Sequence, residues 1–420
     1  MTTWLKVYKG KVFSPIAALI LFGIIGVGFY DYHENDKVVS CETSPPEGQY
    51  MIGIYGHSID LTQDGGFIVS GYIKYHSRKN RDHDIWVMKA DKNGKKEWCK
   101  TFGGSSTDRA WSVKQMTDGE FLILGESYSF GNDYQVLLLK LDNSGNQTWL
   151  KLLGGDYTER GKEIYLTSEG TALITGVSYS DSLQRPNYLL CEVTSDGNIL
   201  FEKSFDHELA GGATSVSQLQ NNDILLLGNL QNEMDHSIDF GLLRINKEGK
   251  ILAKKRFGSI SSDEAKSIAS HRDGGYLIAG TEYKDEMNKR DVVVYKFNEY
   301  DEIEWKQYYG GLSADGGEKI IVTSDQGYAV VGNTQSFGQG YRDVYVIKVD
   351  SKGQTEWTRT FGGNKTDWGY DLKQSEDNGF LISAGSKSTG YNATDIWIIK
   401  LDKSGQKEWD KVYCSSKNGF

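Results

Sequence analysis

The sequence lacks the short motifs that usually mark an enzyme active site. It contains no glycine-rich phosphate loop, no Cys-x-x-Cys pair, no His-Glu-x-x-His motif and no nucleophile elbow. Its few histidines stand without the spacing of metal ligands, at His33, His57, His76, His83, His207, His236 and His271. We therefore predict no catalytic residue set, no cofactor and no metal site.

Proline is also scarce, and acidic residues outnumber basic ones. The chain has only 4 prolines against 49 glycines in 420 residues, which is typical of antiparallel sheet with many turns. Its formal net charge is −10, and no basic patch interleaved with aromatic residues is present. Nucleic acid is therefore excluded as a predicted partner, because its recognition needs such a patch.

One repeated stretch dominates what the sequence does contain. Residues 343–363 read DVYVIKVDSKGQTEWTRTFGG, and related stretches begin at residues 84, 135, 187, 239, 291 and 395. From residue 135 onward, each copy starts 52 residues after the one before it. A constant period of this size indicates stacked supersecondary units.

Each unit contains the signals of four antiparallel strands. Two β-rich runs flank residues 350–353, where Gly353 takes the left-handed position of a three-residue hairpin loop. In this hairpin Lys348 is predicted to face Glu356. Before the hairpin come an Asp-Gly turn with an apolar run and, earlier, a strand with one recurrent small residue: Gly56, Ala110, Gly161, Ala213, Ala265, Gly317 and Gly369.

Seven such units predict an all-β, seven-bladed β-propeller at residues 54–413, with four-stranded antiparallel blades around a channel. A linear β-solenoid is the alternative, and four full strands per unit favour the blade. The predicted blades span residues 54–103, 108–154, 159–206, 211–258, 263–310, 315–362 and 367–413, and residues 414–420 form a tail.

The Asp-x-x-Gly-x-x-x-Trp turn, as in residues 91–98, 142–149 and 402–409, resembles the tryptophan-docking motif of quinoprotein dehydrogenase propellers. The quinoprotein turn is one residue longer, so this likeness implies a quinoprotein-like fold rather than the enzyme. The whole unit more closely resembles the β-propeller repeats of bacterial secreted and cell-surface proteins. Neither resemblance implies an activity, because propellers carry many unrelated functions.

The N-terminal residues differ from the repeats. Lys6, Lys9 and Lys11 precede an apolar run at residues 12–30, which is about the length that crosses a bilayer. The lysines predict a signal anchor with residues 1–11 in the cytoplasm, a linker at residues 31–53 and an extracytoplasmic propeller, either periplasmic or at the cell surface. A cleaved signal peptide and a lipoprotein modified at Cys41 are the alternatives, and each of them exports the propeller.

The ligand surface is predicted where the repeats vary most. The b–c loops of the units are long and individual, whereas the other turns are short and stereotyped. Next to each small residue of the first strand stands a variable position, which predicts a ring at the mouth of the channel: His57, Trp111, Lys162, Thr214, Lys266, Glu318 and Tyr370. A solvated rim without a ligand is the competing interpretation.

These features favour a membrane-anchored, non-catalytic module that binds a protein or a glycan through the b–c loop face. The alternative is a carbohydrate-active hydrolase or lyase that uses acidic residues at the channel mouth, such as Glu318 and Asp371. A purely structural scaffold is the third hypothesis.

The cysteines give one further prediction. Cys41 precedes the first blade and Cys414 ends the last, so closure of the ring brings them together. Export would allow a Cys41–Cys414 disulfide to persist. Cys99 and Cys191 are interpreted as small buried residues instead.

Overall fold

The computed structural model describes residues 38–40, 49–77, 83–130, 133–154, 158–179, 185–205, 211–232, 236–284, 289–389 and 394–414. Every regular element in these ranges is a β-strand. After a short first strand, β1 (Val38–Ser40), the strands form seven blades of four consecutive strands each.

The strands of the first four blades have the following bounds. Blade 1 contains β2 (Gln49–Leu61), β3 (Phe67–Ser77), β4 (His83–Ala90) and β5 (Lys96–Phe102). Blade 2 contains β6 (Asp108–Gln115), β7 (Phe121–Ser127), β8 (Gln135–Leu141) and β9 (Gln147–Leu153). Blade 3 contains β10 (Glu159–Leu166), β11 (Ala172–Ser178), β12 (Asn187–Val193) and β13 (Ile199–Phe205). Blade 4 contains β14 (Gly211–Gln218), β15 (Ile224–Gln231), β16 (Ile238–Ile245) and β17 (Ile251–Phe257).

The last three blades repeat the same plan. Blade 5 contains β18 (Glu264–Ser270), β19 (Tyr276–Tyr283), β20 (Arg290–Phe297) and β21 (Ile303–Tyr309). Blade 6 contains β22 (Asp315–Val322), β23 (Tyr328–Thr334), β24 (Asp343–Val349) and β25 (Thr355–Phe361). Blade 7 contains β26 (Asp367–Gln374), β27 (Phe380–Ser386), β28 (Asp395–Leu401) and β29 (Lys407–Cys414).

The seven sheets close into a ring, which confirms the predicted seven-bladed propeller and excludes the linear solenoid. Each blade is an antiparallel meander, and we name its strands a to d from the channel outward. Blade 7 packs against blade 1, where Ser383 Oγ donates a hydrogen bond of 2.7 Å to Gly56 O. Strand β2 begins at Gln49, ahead of the predicted blade start at residue 54.

Strand β1 is an addition that the repeat pattern did not predict. It pairs in parallel with β29, the outermost strand of blade 7, and makes that blade five-stranded. In this register Val38 lies opposite Val412, and Ser40 lies opposite Cys414.

A buried lysine ties together the two tight turns of a typical blade. Lys348 is 3% exposed, and its Nζ lies 2.9 Å from Asp325 Oδ2 and 3.0 Å from Glu356 Oε2. Equivalent triads are Lys89 with Asp64 and Glu97, Lys296 with Asp273 and Glu304, and Lys400 with Asp377 and Glu408. The recurrent lysine of strand c in these blades therefore has a structural role, which is to join the two turns of its own blade.

The predicted hairpin register needs a correction of one residue. Lys348 lies opposite Trp357 in the sheet, because a bulge follows between Lys348 and Val349. The Lys348–Glu356 ion pair nevertheless forms, because the bulge turns both side chains to the same side of the hairpin.

Tryptophans on strand d pack against a glycine of the next blade at five of the seven blade junctions. A Cβ on Gly145 in blade 2 would lie 2.8 Å from Trp98 Cε3 of blade 1, so only glycine allows the indole to lie flat there. Trp98 Nε1 also donates a 3.0 Å hydrogen bond to Asn143 O. The same stacking joins Trp149 to Gly197, Trp305 to Gly353, Trp357 to Gly405 and Trp409 to Gly94.

The predicted membrane segment at residues 12–30 and Cys41 lie outside the described residues. Within the described ranges, no helix has the length and apolar character needed to cross a bilayer.

Candidate functional site

The channel wall is built by the seven innermost strands. Each one carries a β-bulge just after its small residue, as between Gly56 and Ser58 in β2 and between Gly369 and Asp371 in β26. The other five bulges follow Ala110, Gly161, Ala213, Ala265 and Gly317. A bulge places two successive residues opposite one partner residue. In blades 1, 2, 3 and 7 both of these residues line the channel cavity described below.

The ring has two faces, which we define by their connections. The loop face carries the b–c loops, of which residues 335–342 are fully described, and the links between blades. The turn face carries the tight turns such as residues 62–66 and 91–95. Six of the seven b–c loops lie in part outside the described residues.

Most of the predicted ring converges on one cavity of about 110 Å³ in the channel. Its lining contains six of the seven predicted positions, namely His57, Trp111, Lys162, Thr214, Lys266 and Tyr370. Glu318 is not part of that lining, but its Oε2 lies 3.1 Å from Lys266 Nζ. Six of the seven variable positions therefore line one cavity, which we call the upper cavity.

Aromatic rings form one side of the upper cavity. The His57 ring centroid lies 4.7 Å from that of Trp111 and 4.7 Å from that of Tyr370, and Tyr72 of strand b packs at 5.3 Å. Sequence reasoning missed Tyr72, because its position on strand b is not adjacent to the recurrent small residue. The three blades that meet here are blades 7, 1 and 2.

Cationic groups form the other side. Lys162 Nζ lies 4.4 Å from the Trp111 ring centroid, a cation–π contact. Lys266 Nζ contacts Glu264 Oε1 at 2.6 Å as well as Glu318. Burial and the nearby cations Arg160, Arg109 and Lys266 lower the pKa of Lys162, against the attraction of Glu126. Positive charge is therefore concentrated beside Trp111, in a chain whose net charge is −10.

His57 is neutral at physiological pH. Burial, with smaller effects from Lys162, Arg109 and Lys266, lowers its pKa from 6.5 to about 3. Its Nε2 and the Nε1 of Trp111 are shielded from solvent and have no hydrogen-bond partner among the described residues. Two polar atoms at the wall of one cavity are thus unsatisfied in the protein itself.

A second polar ring lies directly below the first. It comprises Ser58, Ser112, Glu163, Ser215, Ser267, Lys319 and Asp371, and apart from Asp371 the sequence analysis did not single it out. The signal was present, because the position after each predicted ring residue is polar in all seven repeats. Five members of this second ring, Ser58, Ser112, Glu163, Lys319 and Asp371, line the upper cavity, which the sequence pattern does not reveal because it does not specify the bulge.

Much of this second ring joins neighbouring blades. Ser112 Oγ accepts a hydrogen bond of 3.2 Å from Ile164 N, and Ser215 Oγ accepts one of 3.1 Å from Ile268 N. Asp371 Oδ2 accepts from Ser58 Oγ at 3.1 Å and from Ile59 N at 3.0 Å. Asp371 therefore holds the last blade to the first.

An ion pair crosses the channel. Glu163 of blade 3 contacts Lys319 of blade 6, three blades away. Below it opens a second cavity of about 420 Å³, which Glu163, Lys319 and Lys114 share with the upper cavity. The pair therefore stands between an aromatic, cationic chamber and a chamber walled by residues such as Tyr165 and Ile321.

The recurrent aspartates at the start of strand a organise the blade corners. Asp315 Oδ2 accepts from Gly311 N at 2.8 Å and from Ser336 Oγ at 2.6 Å, and Asp367 contacts Gly363 N and Ser388 Oγ in the same way. Within the described residues, no group of three or more His, Cys, Asp or Glu side chains is arranged to hold a metal ion.

No protein-family model and no curated protein sequence matches the chain. Among solved structures, the Dos1 propeller is 10% identical with a TM-score of 0.49, over 84% of this chain and 82% of that one. The β-propeller domain of the Trilobed protease from Pyrococcus furiosus is 9% identical with a TM-score of 0.48, over 84% and 96%. A protein of unknown function from Bacteroides caccae is 12% identical with a TM-score of 0.39, over 61% and 82%. These similarities concern the propeller fold and carry no argument about ligand or activity.

Proposed function

We propose that the protein is a non-catalytic binding module that holds a glycan at the loop-face end of its channel. One observation carries the proposal. Trp111, Tyr370 and His57 share the lining of an open cavity with Lys162, and two buried polar nitrogens there have no protein partner among the described residues. Aromatic side chains give a small-molecule ligand apolar contact, and convergent polar groups beside them fix its orientation.

A glycan fits this lining better than a protein ligand does. A sugar ring presents apolar C–H faces that pack on aromatic rings, and hydroxyl groups that pair with N–H donors. The cavity of about 110 Å³ exceeds several-fold the roughly 10–15 Å³ that one water needs, so it accepts a group of ring size. A protein ligand would instead require a broad contact across the b–c loops.

The acidic residues named for a hydrolase or lyase are engaged in the fold. Asp371 accepts three hydrogen bonds, two from blade 1 and one of 2.8 Å from Leu372 N. Glu318 pairs with Lys266 and accepts from Asn333 Nδ2 at 3.3 Å. Asp371 and Glu318 therefore do not form a free pair of carboxylates that could act as acid and base. This favours binding over turnover.

We further propose that residues 12–30 anchor the chain in a membrane, with the propeller on the extracytoplasmic side, as in the bacterial secreted and cell-surface repeat proteins that it resembles. The lysines before residue 12 support this orientation. The protein should stay with membranes after a high-salt wash. A reporter fused after Phe420 should be active only outside the cytoplasm, and cytoplasmic activity would refute the orientation.

The binding proposal is tested with the full chain against a panel of oligosaccharides and peptides. Trp111→Ala and Tyr370→Ala should each weaken glycan affinity at least about tenfold, equivalent to roughly 1.4 kcal/mol. Tyr341→Ala is the matched control, because Tyr341 lies on the loop face, is 84% exposed and does not line the cavity.

Three outcomes would contradict the proposal. Unchanged glycan affinity in both variants would place the ligand elsewhere, and saturable binding of peptides alone would favour a protein ligand. Turnover of a polysaccharide that disappears in Glu318→Gln would establish the enzyme instead.

A further inference from the structure

Lys162 is the cation of the upper cavity that lacks a carboxylate partner among the described residues. Among the described residues, its Nζ lies over the face of Trp111, 4.4 Å from the ring centroid. Burial and three nearby cations lower its pKa, so the folded protein holds this ammonium group at a cost. A ligand anion would relieve that cost.

The acidic side chains around Lys162 are already used by other cations. Glu126 is 1% exposed. Its carboxylate lies 3.0 Å from the Arg109 guanidinium and 3.7 Å from Arg160 Nε. Glu318 and Glu264 both contact Lys266. In the lining of the upper cavity itself, four lysines (Lys114, Lys162, Lys266 and Lys319) stand against two acids, Glu163 and Asp371. The cavity wall is therefore net positive.

Two further groups are available to bind an anion's oxygens. Trp111 Nε1 is an obligate donor and lacks a partner among the described residues, and a neutral His57 can donate from Nε2 when Nδ1 is unprotonated. Both residues line the cavity with Lys162. An ammonium group and two N–H donors beside aromatic rings suit an oxyanion attached to a ring with apolar faces.

We propose that the upper cavity binds the anionic group of an acidic sugar, a uronic-acid carboxylate or a sugar sulfate, so that the ligand is an acidic glycan. This inference rests on the proposed glycan-binding function and adds its ligand class. Lys162 pairs with the anion, Trp111 and His57 donate to its oxygens, and Tyr370 packs against the sugar ring.

The test compares ligands that differ only in charge, using the full chain. The probes are an unsulfated tetrasaccharide containing glucuronic acid, the same tetrasaccharide after reduction of its carboxyl groups, and a sulfated tetrasaccharide of neutral sugars. We expect the carboxyl-reduced probe to bind at least about tenfold more weakly than one of the two acidic probes. The preferred acidic probe identifies the anion as carboxylate or sulfate.

A variant pair assigns the effect to Lys162. Lys162→Gln should abolish the preference for the acidic probe, whereas Lys162→Arg should retain most of it. Lys254→Gln is the matched control, because Lys254 is exposed on the outer strand β17 and does not line the cavity. The ligand comparison needs no variant, so it remains decisive if Lys162→Gln does not fold.

The possible failures are distinguishable. Equal affinity for the acidic and reduced probes, with sensitivity to Trp111→Ala, would overturn the acidic class and leave the glycan-binding function. Acidic preference that survives Lys162→Gln would also overturn the inference, because the anion would then bind elsewhere. Failure of all three probes and of the wider glycan panel would overturn the proposed function itself.

Discussion

The indole of Trp409, in the last blade, lies over Gly94 in the first blade. A Cβ on Gly94 would come within 3.1 Å of Trp409 Cη2, and Tyr413 Oη donates a 2.6 Å hydrogen bond to Gly94 O. The junction that closes the ring thus uses the same tryptophan-on-glycine contact as four of the six junctions between consecutive blades. Each blade keeps its own four consecutive strands, so closure requires no strand exchange.

Gly94→Ala is expected to destabilise the protein by about 2–4 kcal/mol. An alanine at φ +71° costs about 1–2 kcal/mol, and its Cβ would also press against Trp409 and Tyr413. Gly65→Ala is the matched control, because Gly65 has φ +81° in the same blade but nothing lies within 4 Å of its Cβ position. Denaturant unfolding measures both variants, and equal losses would show that the closing contact contributes little.

Asp371→Asn should lower the free energy of unfolding by about 2–4 kcal/mol. The substitution replaces one acceptor oxygen with an NH2 group, which cannot accept the hydrogen bonds from blade 1. Burial opposes the charge of Asp371, yet Lys373, Lys319 and Lys114 keep its pKa below the usual value. These lysines would lose a counter-charge in the variant. Glu376→Gln, exposed in the same blade, is the control. A variant with unchanged unfolding free energy but altered ligand turnover would instead support a catalytic Asp371.

Asp343 gives the protein a specific pH dependence. Burial raises its pKa from 3.8 to about 6. Hydrogen bonds from Gly340 N and Gln339 N oppose this increase, and repulsion from Asp367 adds to it. Because the pKa is raised in the folded state, protonated Asp343 stabilises the fold. This contribution to the free energy of unfolding is complete below pH 3.8 and is lost as pH rises through about 6.

Asp343→Asn should therefore raise stability at pH 7.5, by up to about 3 kcal/mol, and have little benefit near pH 4. The measurement is the unfolding free energy of variant and original protein across this range. Asp196→Asn, at an exposed position, should leave the profile unchanged. A difference between Asp343→Asn and the original protein that does not vary with pH would contradict the assignment.

The Cys41–Cys414 disulfide stays a prediction. The backbone register places Cys414 opposite Ser40, the residue before Cys41, but Cys41 itself lies outside the described residues. Loop-closure entropy gives such a bond about 5 kcal/mol, a model-dependent value. Peptide mapping under non-reducing conditions should recover Cys41 joined to Cys414, with Cys99 and Cys191 outside any disulfide. Alkylation of Cys41 and Cys414 in the exported protein would rule out the bond.

The fold was predictable because the repeat shows which positions must stay alike. Gly353 and Trp357 recur for reasons of backbone conformation and packing, and both have the expected roles. The Lys348–Glu356 pair was also foreseen, although its register was not, because the bulge beside Lys348 leaves no mark in the residue types.

The candidate site was predictable only in part. The upper ring was predicted because its positions, such as Trp111 and Lys162, differ from repeat to repeat. Positions that the fold does not constrain are free to differ in this way. The second ring escaped notice, since a strand was expected to alternate sides and the bulge after each small residue breaks that alternation. Tyr72 and Glu126 come from strand b, and only the three-dimensional packing places them against the ring residue His57 and the nearby Arg109.

The parallel pairing of β1 with β29 determines which face of the ring the N-terminal end of β1 points toward. Because β29 runs from the turn face toward the loop face, a strand parallel to it has its N-terminal end pointing toward the turn face. The N-terminal end of β1 therefore lies on the side of the ring opposite the upper cavity. Attachment through the residues before Val38, as proposed above, would then leave the loop face accessible to a ligand.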